Sequence, residues 1–392
     1  MNEKAGTDPH KTMPMRMIFQ SATYRVEHHA ADVHRKARSV VCTFTPYGFR
    51  DLDKPGFGVA FLQKLGFDVI AFKSARDRWF QDMPDEILPK VRSECLAGRY
   101  DTIMTYGSSM GGFAALACAD ALGAQRVIAM SPQFTIKEAY DTRWAANAKG
   151  LKWNRPIDTA AVGNADVHVV YDDRSPLEMS HITRLQAIVP SGRLHEIRLP
   201  FSGHPSLAYL RQVGSVSSFV RQLLIAPHDM HCIDTWSDRR HSANFYMALS
   251  AHLESREKTG SAIWAMQQAQ NIAPGNAIVM HQFALLLERA GRIDDAIVQA
   301  VKATQTGVSN PGYRQHLGML MYRSGRYAEA VSALTEALRL SPHNGDFRYK
   351  LNAAQDALSG MTVAKDAMRG KQSLETGFPG FARRLVNFLT VR

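Results

Sequence analysis

A serine set among glycines is where chemistry first becomes legible in this sequence. Gly107-Ser108-Ser109-Met110-Gly111-Gly112 follows the short apolar run YDTIMTY (100–106) and leads at once into FAALACADAL (113–122). A strand that turns this tightly into a helix holds its central residue in a strained conformation, and small neighbours let strand and helix approach. Ser109 then stands above the carboxyl ends of the strands. The first N–H groups of the helix, unpaired within it, face any oxygen that gains charge there. A serine hydroxyl is a weak nucleophile near neutral pH, so this reading demands a base and a group to orient that base. His204 is offered by Phe201-Ser202-Gly203-His204-Pro205, at the end of the run LHEIRLP (194–200), while Asp172 ends the run DVHVVYD (166–172) and Asp173 follows it.

These residues need a frame that brings three loops to one edge. From Arg38 to Ile225, short apolar runs alternate with amphipathic stretches, which is the signature of a parallel sheet wrapped by helices. Besides the three already named, the runs are SVVCTFT (39–45), FDVIAFK (67–73) and QRVIAMS (125–131). Several are apolar on both parities, as strands covered on both faces should be. The expectation is an α/β domain over 38–225, doubly wound on a mostly parallel six-stranded sheet, preceded by an extension over 1–37. Residues 132–164 lose the alternation and are expected to form a small cap. Residues 226–242 read as a solvated connector; His228, Asp229 and His231 there match no metal-ligand spacing. His168 and His195 fall inside strands and are expected to be packed. Trp79-Phe80-Gln81, after the second run, suits either the lining of an acyl pocket or the core.

The order Ser, Asp, His, each after its own strand, resembles the α/β-hydrolase family over roughly half of the chain. That resemblance implies a serine hydrolase acting on a carboxylic ester, thioester or amide through an acyl-enzyme. Ser109 would attack, His204 would accept and return the proton, and Asp172 would hold the imidazole, with Asp173 as the alternative because the family often places its acid a few residues into the loop. The oxyanion would rest on the N–H of Met110 and on that of Tyr47, or alternatively Gly48. Family members usually carry a His-Gly pair where this chain has Pro46-Tyr47-Gly48. The scaffold also resembles acyltransferases and inactive members. An acyltransferase using the same triad and a catalytically inactive interaction scaffold are therefore the alternatives.

Beyond Ala243 the pattern becomes helical and repeats at a shift of 34: Ala262, Ala296 and Ala330 share it, as do Ala269, Ala303 and Ala337, and Gly291 and Gly325. Small residues at this spacing resemble the tetratricopeptide repeat, a helical hairpin with small residues where its helices cross. Repeats are expected over 243–276, 277–310 and 311–344, with a capping helix over 345–358 and the whole repeat region spanning 243–358. Glu257 stands where the turn glycine of the first copy belongs, and Val308 where the closing proline of the second belongs. The resemblance implies a protein or peptide partner. The basic amphipathic tail, 359–392, carries Phe381, Leu385, Phe388 and Leu389 at helical spacing opposite Arg383 and Arg384, and suits docking on the protein body or weak contact with an anionic membrane surface.

Composition sets the outer bounds. Lys and Arg total 47 against 36 Asp and Glu, a net charge of +11, and 45% of residues are hydrophobic, so disorder and collagen are excluded as the main character. Without zinc-finger spacing, an RNP-like aromatic run or a dense basic block, no nucleic-acid partner is expected. Cys42, Cys95, Cys118 and Cys232 are too few and too scattered for a disulfide framework. No P-loop or dinucleotide motif is present, so no organic cofactor and no metal is expected. The first twenty residues lack the apolar stretch of a secretory signal, and no segment is apolar enough to span a membrane, so a cytoplasmic location is expected.

Overall fold

The computed structural model describes residues 15–31 and 38–377, and the chain divides into two compact units, one ending at Glu257 and the other beginning at Lys258. The first is built on eight strands: β1 (Arg16–Gln20), β2 (Tyr24–His29), β3 (Ser39–Phe44), β4 (Asp68–Ser74), β5 (Thr102–Ser108), β6 (Arg126–Met130), β7 (Asp166–Tyr171) and β8 (Leu194–Arg198). Their order is β1-β2-β4-β3-β5-β6-β7-β8. The pairs β1/β2 and β2/β4 are antiparallel and every other pair is parallel.

The six apolar runs correspond to β3–β8, but the sheet is mixed and eight-stranded, because the expected N-terminal extension contributes β1 and β2. Charge hides these two strands in the sequence. Glu27, in β2, is buried with its carboxylate on Lys73 Nζ at 2.6 Å, and the His29 ring lies 3.0 Å from the same carboxylate. A buried charge is tolerated when it is paired, so a polar pattern here coexists with a covered strand.

Alternate residues of the central strands feed two cores. Val40, Cys42 and Phe44 of β3, with Ile70 and Phe72 of β4, point to one face; Val41, Val69 and Ala71 point to the other. Helices cover both faces: α1 (Val59–Lys64), α2 (Ile87–Val91), α3 (Met110–Ala117), α4 (Ala119–Leu122), α5 (Ala145–Ala148), α6 (Thr159–Val162), α7 (Pro176–Gln186), α8 (Ser206–Gln212) and α9 (Val216–Ile225). Phe113 and Leu116 of α3 enter the first core, while Tyr209, Leu210, Phe219 and Leu223 of α8 and α9 enter the second. The apolar character of β3–β7 on both parities follows from this double cover.

Residues 226–242 form two short 3₁₀ turns, Pro227–Cys232 and Arg239–His241, before α10 (Ala243–Glu254). Helix α10 belongs to the first unit. Its Phe245 is buried in the second core, edge-on to Phe201 and Trp236. The helix that opens the first expected repeat is therefore partnered by α8.

The second unit holds α11 (Thr259–Ile272), α12 (Ala277–Arg289), α13 (Ile293–Thr306), α14 (Pro311–Arg323), α15 (Tyr327–Leu340) and α16 (Gly345–Gly377). The alanines at the repeat spacing, Ala262, Ala269, Ala296, Ala303, Ala330 and Ala337, are all fully buried. A Cβ on Gly318 would lie 2.7 Å from Leu334 Cγ, so α14 and α15 cross where only glycine fits. Gly291 and Gly325 turn with φ of 73° and 72°, and Glu257, at the equivalent place, adopts φ 58° despite its side chain. Helix α16 runs past the expected cap end at Leu358 as far as Gly377, and the tail residues Phe381 to Leu389 lie outside the described residues. Among the described residues no helix is long and apolar enough to cross a membrane.

Candidate active site

Ser109 sits between β5 and α3 with φ 54° and ψ −119°, a conformation that a residue with a side chain holds only under constraint. The constraint is close packing. A Cβ on Gly107 would lie 2.1 Å from Gly111 O, and one on Gly111 would lie 2.4 Å from Phe44 O. The Ser109 N–H donates to Met130 O at 2.8 Å, which ties the turn to β6. Ser109 is 5% exposed.

Its Oγ lies 2.8 Å from His204 Nε2. On the other side of the ring, His204 Nδ1 lies 2.8 Å from Glu178 Oε1. A carboxylate can only accept, so Nδ1 carries the proton and Nε2 presents its lone pair to the serine hydroxyl. Ser109, His204 and Glu178 thus form one continuous line. Burial pushes the Glu178 carboxyl up, but His204 and then Arg143 outweigh it and hold the group below the usual carboxylate range.

Neither aspartate expected as the acid reaches the histidine. Asp172 accepts backbone N–H bonds from Phe201 at 2.8 Å, Gly203 at 2.9 Å and Arg174 at 2.9 Å, so it fastens the loop that carries His204 to the end of β7. Burial raises its pKa despite these three donors. Asp173 faces Arg174, 3.9 Å from its Nε. The carboxylate that reaches it comes instead from the third position of α7. Ser175 caps that helix by accepting from the Glu178 N–H at 3.4 Å, and Ser175-Pro176-Leu177-Glu178 reads in sequence as a capping box. That local signature gives Glu178 an ordinary role and conceals the other one; the only sequence signal for it is an acid in the first turn after the strand.

A second side chain the sequence did not mark is Gln133, in the expected cap segment. Its Oε1 accepts from Trp79 Nε1 at 3.2 Å. Indole N–H is a donor only, which fixes the amide orientation and turns Nε2 toward Ser109 and His204. That nitrogen lies 3.0 Å from Ser109 Oγ and 3.0 Å from His204 Nε2. Trp79 and Phe80 are both fully buried. Trp79 meets Tyr47 and Trp144, with ring centroids at 6.0 and 5.2 Å, while Phe80 joins the core beside Phe44 and Tyr24. Trp144 also lies edge-on to the His204 ring at 6.2 Å.

The expected cap supplies the charges behind the acid. Asp141 takes Arg143 through two nitrogens, Nε at 2.8 Å and Nη2 at 2.7 Å, and lies 3.0 Å from His181 Nε2. Arg143 Nη2 stands 3.9 Å from Glu178 Oε1. Of the oxyanion donors expected, Met110 opens α3, where its N–H has no partner within the helix. The Gly48 N–H is committed to Asp77 Oδ1 at 2.8 Å, and Arg50 pairs with the other oxygen of the same carboxylate. Tyr47 is left as the candidate for the second donor. His168 and His195 stack on each other in β7 and β8, with centroids 4.5 Å apart, and burial lowers His168 to about 3. Among the described residues no group of three or more His, Cys, Asp or Glu side chains is arranged to hold a metal.

The family comparison bears on the other unit. Residues 312–344 match the tetratricopeptide repeat family model. The second unit contains tetratricopeptide repeats. The small glutamine-rich tetratricopeptide repeat-containing protein 2 of Mycosarcoma maydis is 29% identical to the chain over 105 residues, which is 27% of this chain and 30% of that relative. The chain thus matches about a third of that curated relative's length. Among solved structures, the first tetratricopeptide domain of Spaghetti (RPAP3), bound to an HSP90 peptide, is 18% identical, with a TM-score of 0.29 over 31% of this chain and 95% of that one. The Sgt2 tetratricopeptide domain from Aspergillus fumigatus is 18% identical, with a TM-score of 0.29 over 31% of this chain and 81% of that one. Tetratricopeptide stacks present extended surfaces to other proteins, which gives the second unit a protein-interaction role.

Proposed function

We propose that the first unit is a serine hydrolase that opens a carboxylic ester, thioester or amide through an acyl-enzyme, while the repeats hold a protein or peptide partner. The observation that carries this reading is the unbroken line from Ser109 Oγ through His204 to Glu178, with both hydrogen bonds at 2.8 Å. It is supported by the strained turn that sets Ser109 at a helix N-terminus and by the chain order serine, acid, histidine. Ser109 Oγ bonds to the acyl carbon as its proton passes to His204 Nε2. Charge on the former carbonyl oxygen is met by the Met110 N–H and, opposite, by that of Tyr47. The leaving group departs with the proton from His204, and water then repeats the sequence to free the acid. Glu178 stays ionised and holds the imidazolium.

A second reading is an interaction scaffold whose first unit does not turn over. The observation in its favour is that the family match falls on the repeats. Labelling with a fluorophosphonate separates the two. Stoichiometric adduct on Ser109, absent in Ser109→Ala and slowed in His204→Ala, supports the hydrolase; a folded protein that takes no label leaves the scaffold.

A further inference from the structure

Gln133 is fully buried, and its amide is locked: Trp79 holds the oxygen, and the nitrogen meets Ser109 Oγ and His204 Nε2, each at 3.0 Å. Those three atoms, Ser109 Oγ, His204 Nε2 and Gln133 Nε2, make a triangle closed by the 2.8 Å serine–histidine contact. In acyl transfer, the heteroatom that leaves or enters must come within hydrogen-bond reach of the histidine nitrogen while bonded to the carbon on Ser109. It therefore passes beside the Gln133 NH₂ group. From this we infer that Gln133 is a catalytic residue that selects oxygen leaving groups, making the site an oxygen esterase, or a transferase to hydroxyl acceptors. The inference rests on the hydrolase reading of the same site.

The selection follows from lone pairs. An alkoxide oxygen taking the proton from His204 Nε2 keeps lone pairs free to accept a Gln133 N–H as well. An amine nitrogen spends its lone pair on the proton from His204 and has nothing left to accept with, so it would confront Gln133 as donor against donor. A thiolate sulfur is a weak acceptor and departs with little need of a proton. Buried donors that lose their partner in the transition state discriminate against the substrate that strips them. In deacylation a water or alcohol oxygen fits by the same rule, donating to His204 and accepting from Gln133. Bonds and protons balance as in the hydrolase cycle, with Gln133 transferring nothing.

The test compares kcat/KM, which reports acylation, for ethyl acetate, S-ethyl thioacetate and N-ethylacetamide in the full-length protein and in Gln133→Leu. Fluorophosphonate labelling of Ser109 in the variant monitors folding and the nucleophile separately. The expected result is a variant that still labels but whose ester-to-thioester ratio falls about 10- to 100-fold, because ester cleavage alone loses a donor. Should Gln133→Leu fail to fold, Gln133→Glu keeps the shape, replaces the donor with an acceptor, and is expected to move the ratio the same way. An unchanged ratio overturns the inference while leaving the hydrolase reading in place, and so does wild-type protein that labels yet turns over none of the three. Wild-type protein that neither labels nor turns over removes the hydrolase reading itself.

Discussion

Glu178 Oε1 stands 2.8 Å from His204 Nδ1, and Asp172, six residues earlier, holds the backbone on either side of Ser202 in the loop that carries the same histidine. Two carboxylates near one imidazole thus do different work. One faces the ring and accepts from its Nδ1; the other fixes where the ring is. The difference is geometric and can be read by substitution.

Glu178→Gln leaves the shape of the site and removes the charge opposite Nδ1, allowing the amide to present a donor to the ring. Turnover and the rate of fluorophosphonate labelling are expected to fall about 10³- to 10⁴-fold, with unfolding changed much less. Asp172→Ala strips acceptors from three backbone N–H groups. It is expected to cost about 2–4 kcal/mol of stability, measured by urea unfolding, and to reduce labelling through the misplaced loop. If Glu178→Gln were harmless and Asp172→Asn abolished labelling without loss of stability, the assignment of the acid would be reversed.

Gly111→Ala tests the packing that raises Ser109 into its turn. The added Cβ would sit 2.4 Å from Phe44 O, and a backbone oxygen cannot swing aside as a side-chain end can. Strand β3 and helix α3 must separate, so the variant is expected to lose about 2 kcal/mol or more and to label slowly. Gly112→Ala is a graded control, since its Cβ would meet Met130 O at 3.2 Å. Urea unfolding and labelling of the pair should rank in that order.

Gly318→Ala probes the repeat unit in the same way. Its Cβ would lie 2.7 Å from Leu334 Cγ, and Leu334 is itself fully buried where α14 meets α15. Overpacking at this crossing is expected to cost about 1–3 kcal/mol. The additional variant Leu334→Ala should relieve the clash of Gly318→Ala, so the double variant is expected to be more stable than the sum of the two single losses. Thermal unfolding of the four proteins provides the cycle.

How much of this was legible beforehand depends on the range over which each feature is encoded. Ser109 and His204 were readable because each closes an apolar run, and six strands were readable because β3–β8 alternate with helices. The contact of Glu178 with His204 was not, since Ser175-x-x-Glu178 satisfies a local rule that explains the glutamate without the histidine. Gln133 lies in a segment with no period, and its orientation depends on Trp79, 54 residues earlier. Strand β2 was hidden by Glu27, a buried charge met by Lys73 on the neighbouring strand and by Arg25 and His29 beside it. The 34-residue period displayed the repeats directly. It did not encode that α10 would lie on α8, because an amphipathic helix carries the same pattern whichever body it covers.

The pair Asp141–Arg143, with His181 behind it, gives the first unit a defined response to acid. Burial alone would raise the Asp141 carboxyl, but hydrogen bonds from Arg143 and His181 outweigh it and depress the group well below the usual range. A carboxyl depressed in the folded state stabilises the protein fully above its unfolded pKa, near 4 on the ordinary scale. That contribution is lost progressively as pH falls below about 4 toward the folded value. Asp141→Asn removes it: the variant should be less stable at neutral pH, and its unfolding midpoint should fall less steeply between about pH 4 and pH 2 than that of wild type. Because Arg143 would then lose its bidentate partner and turn to Glu178, 3.9 Å away, the residual activity should persist to lower pH than in wild type. Parallel acid limbs for the two proteins, in stability and in rate, would dissociate Asp141 from both effects.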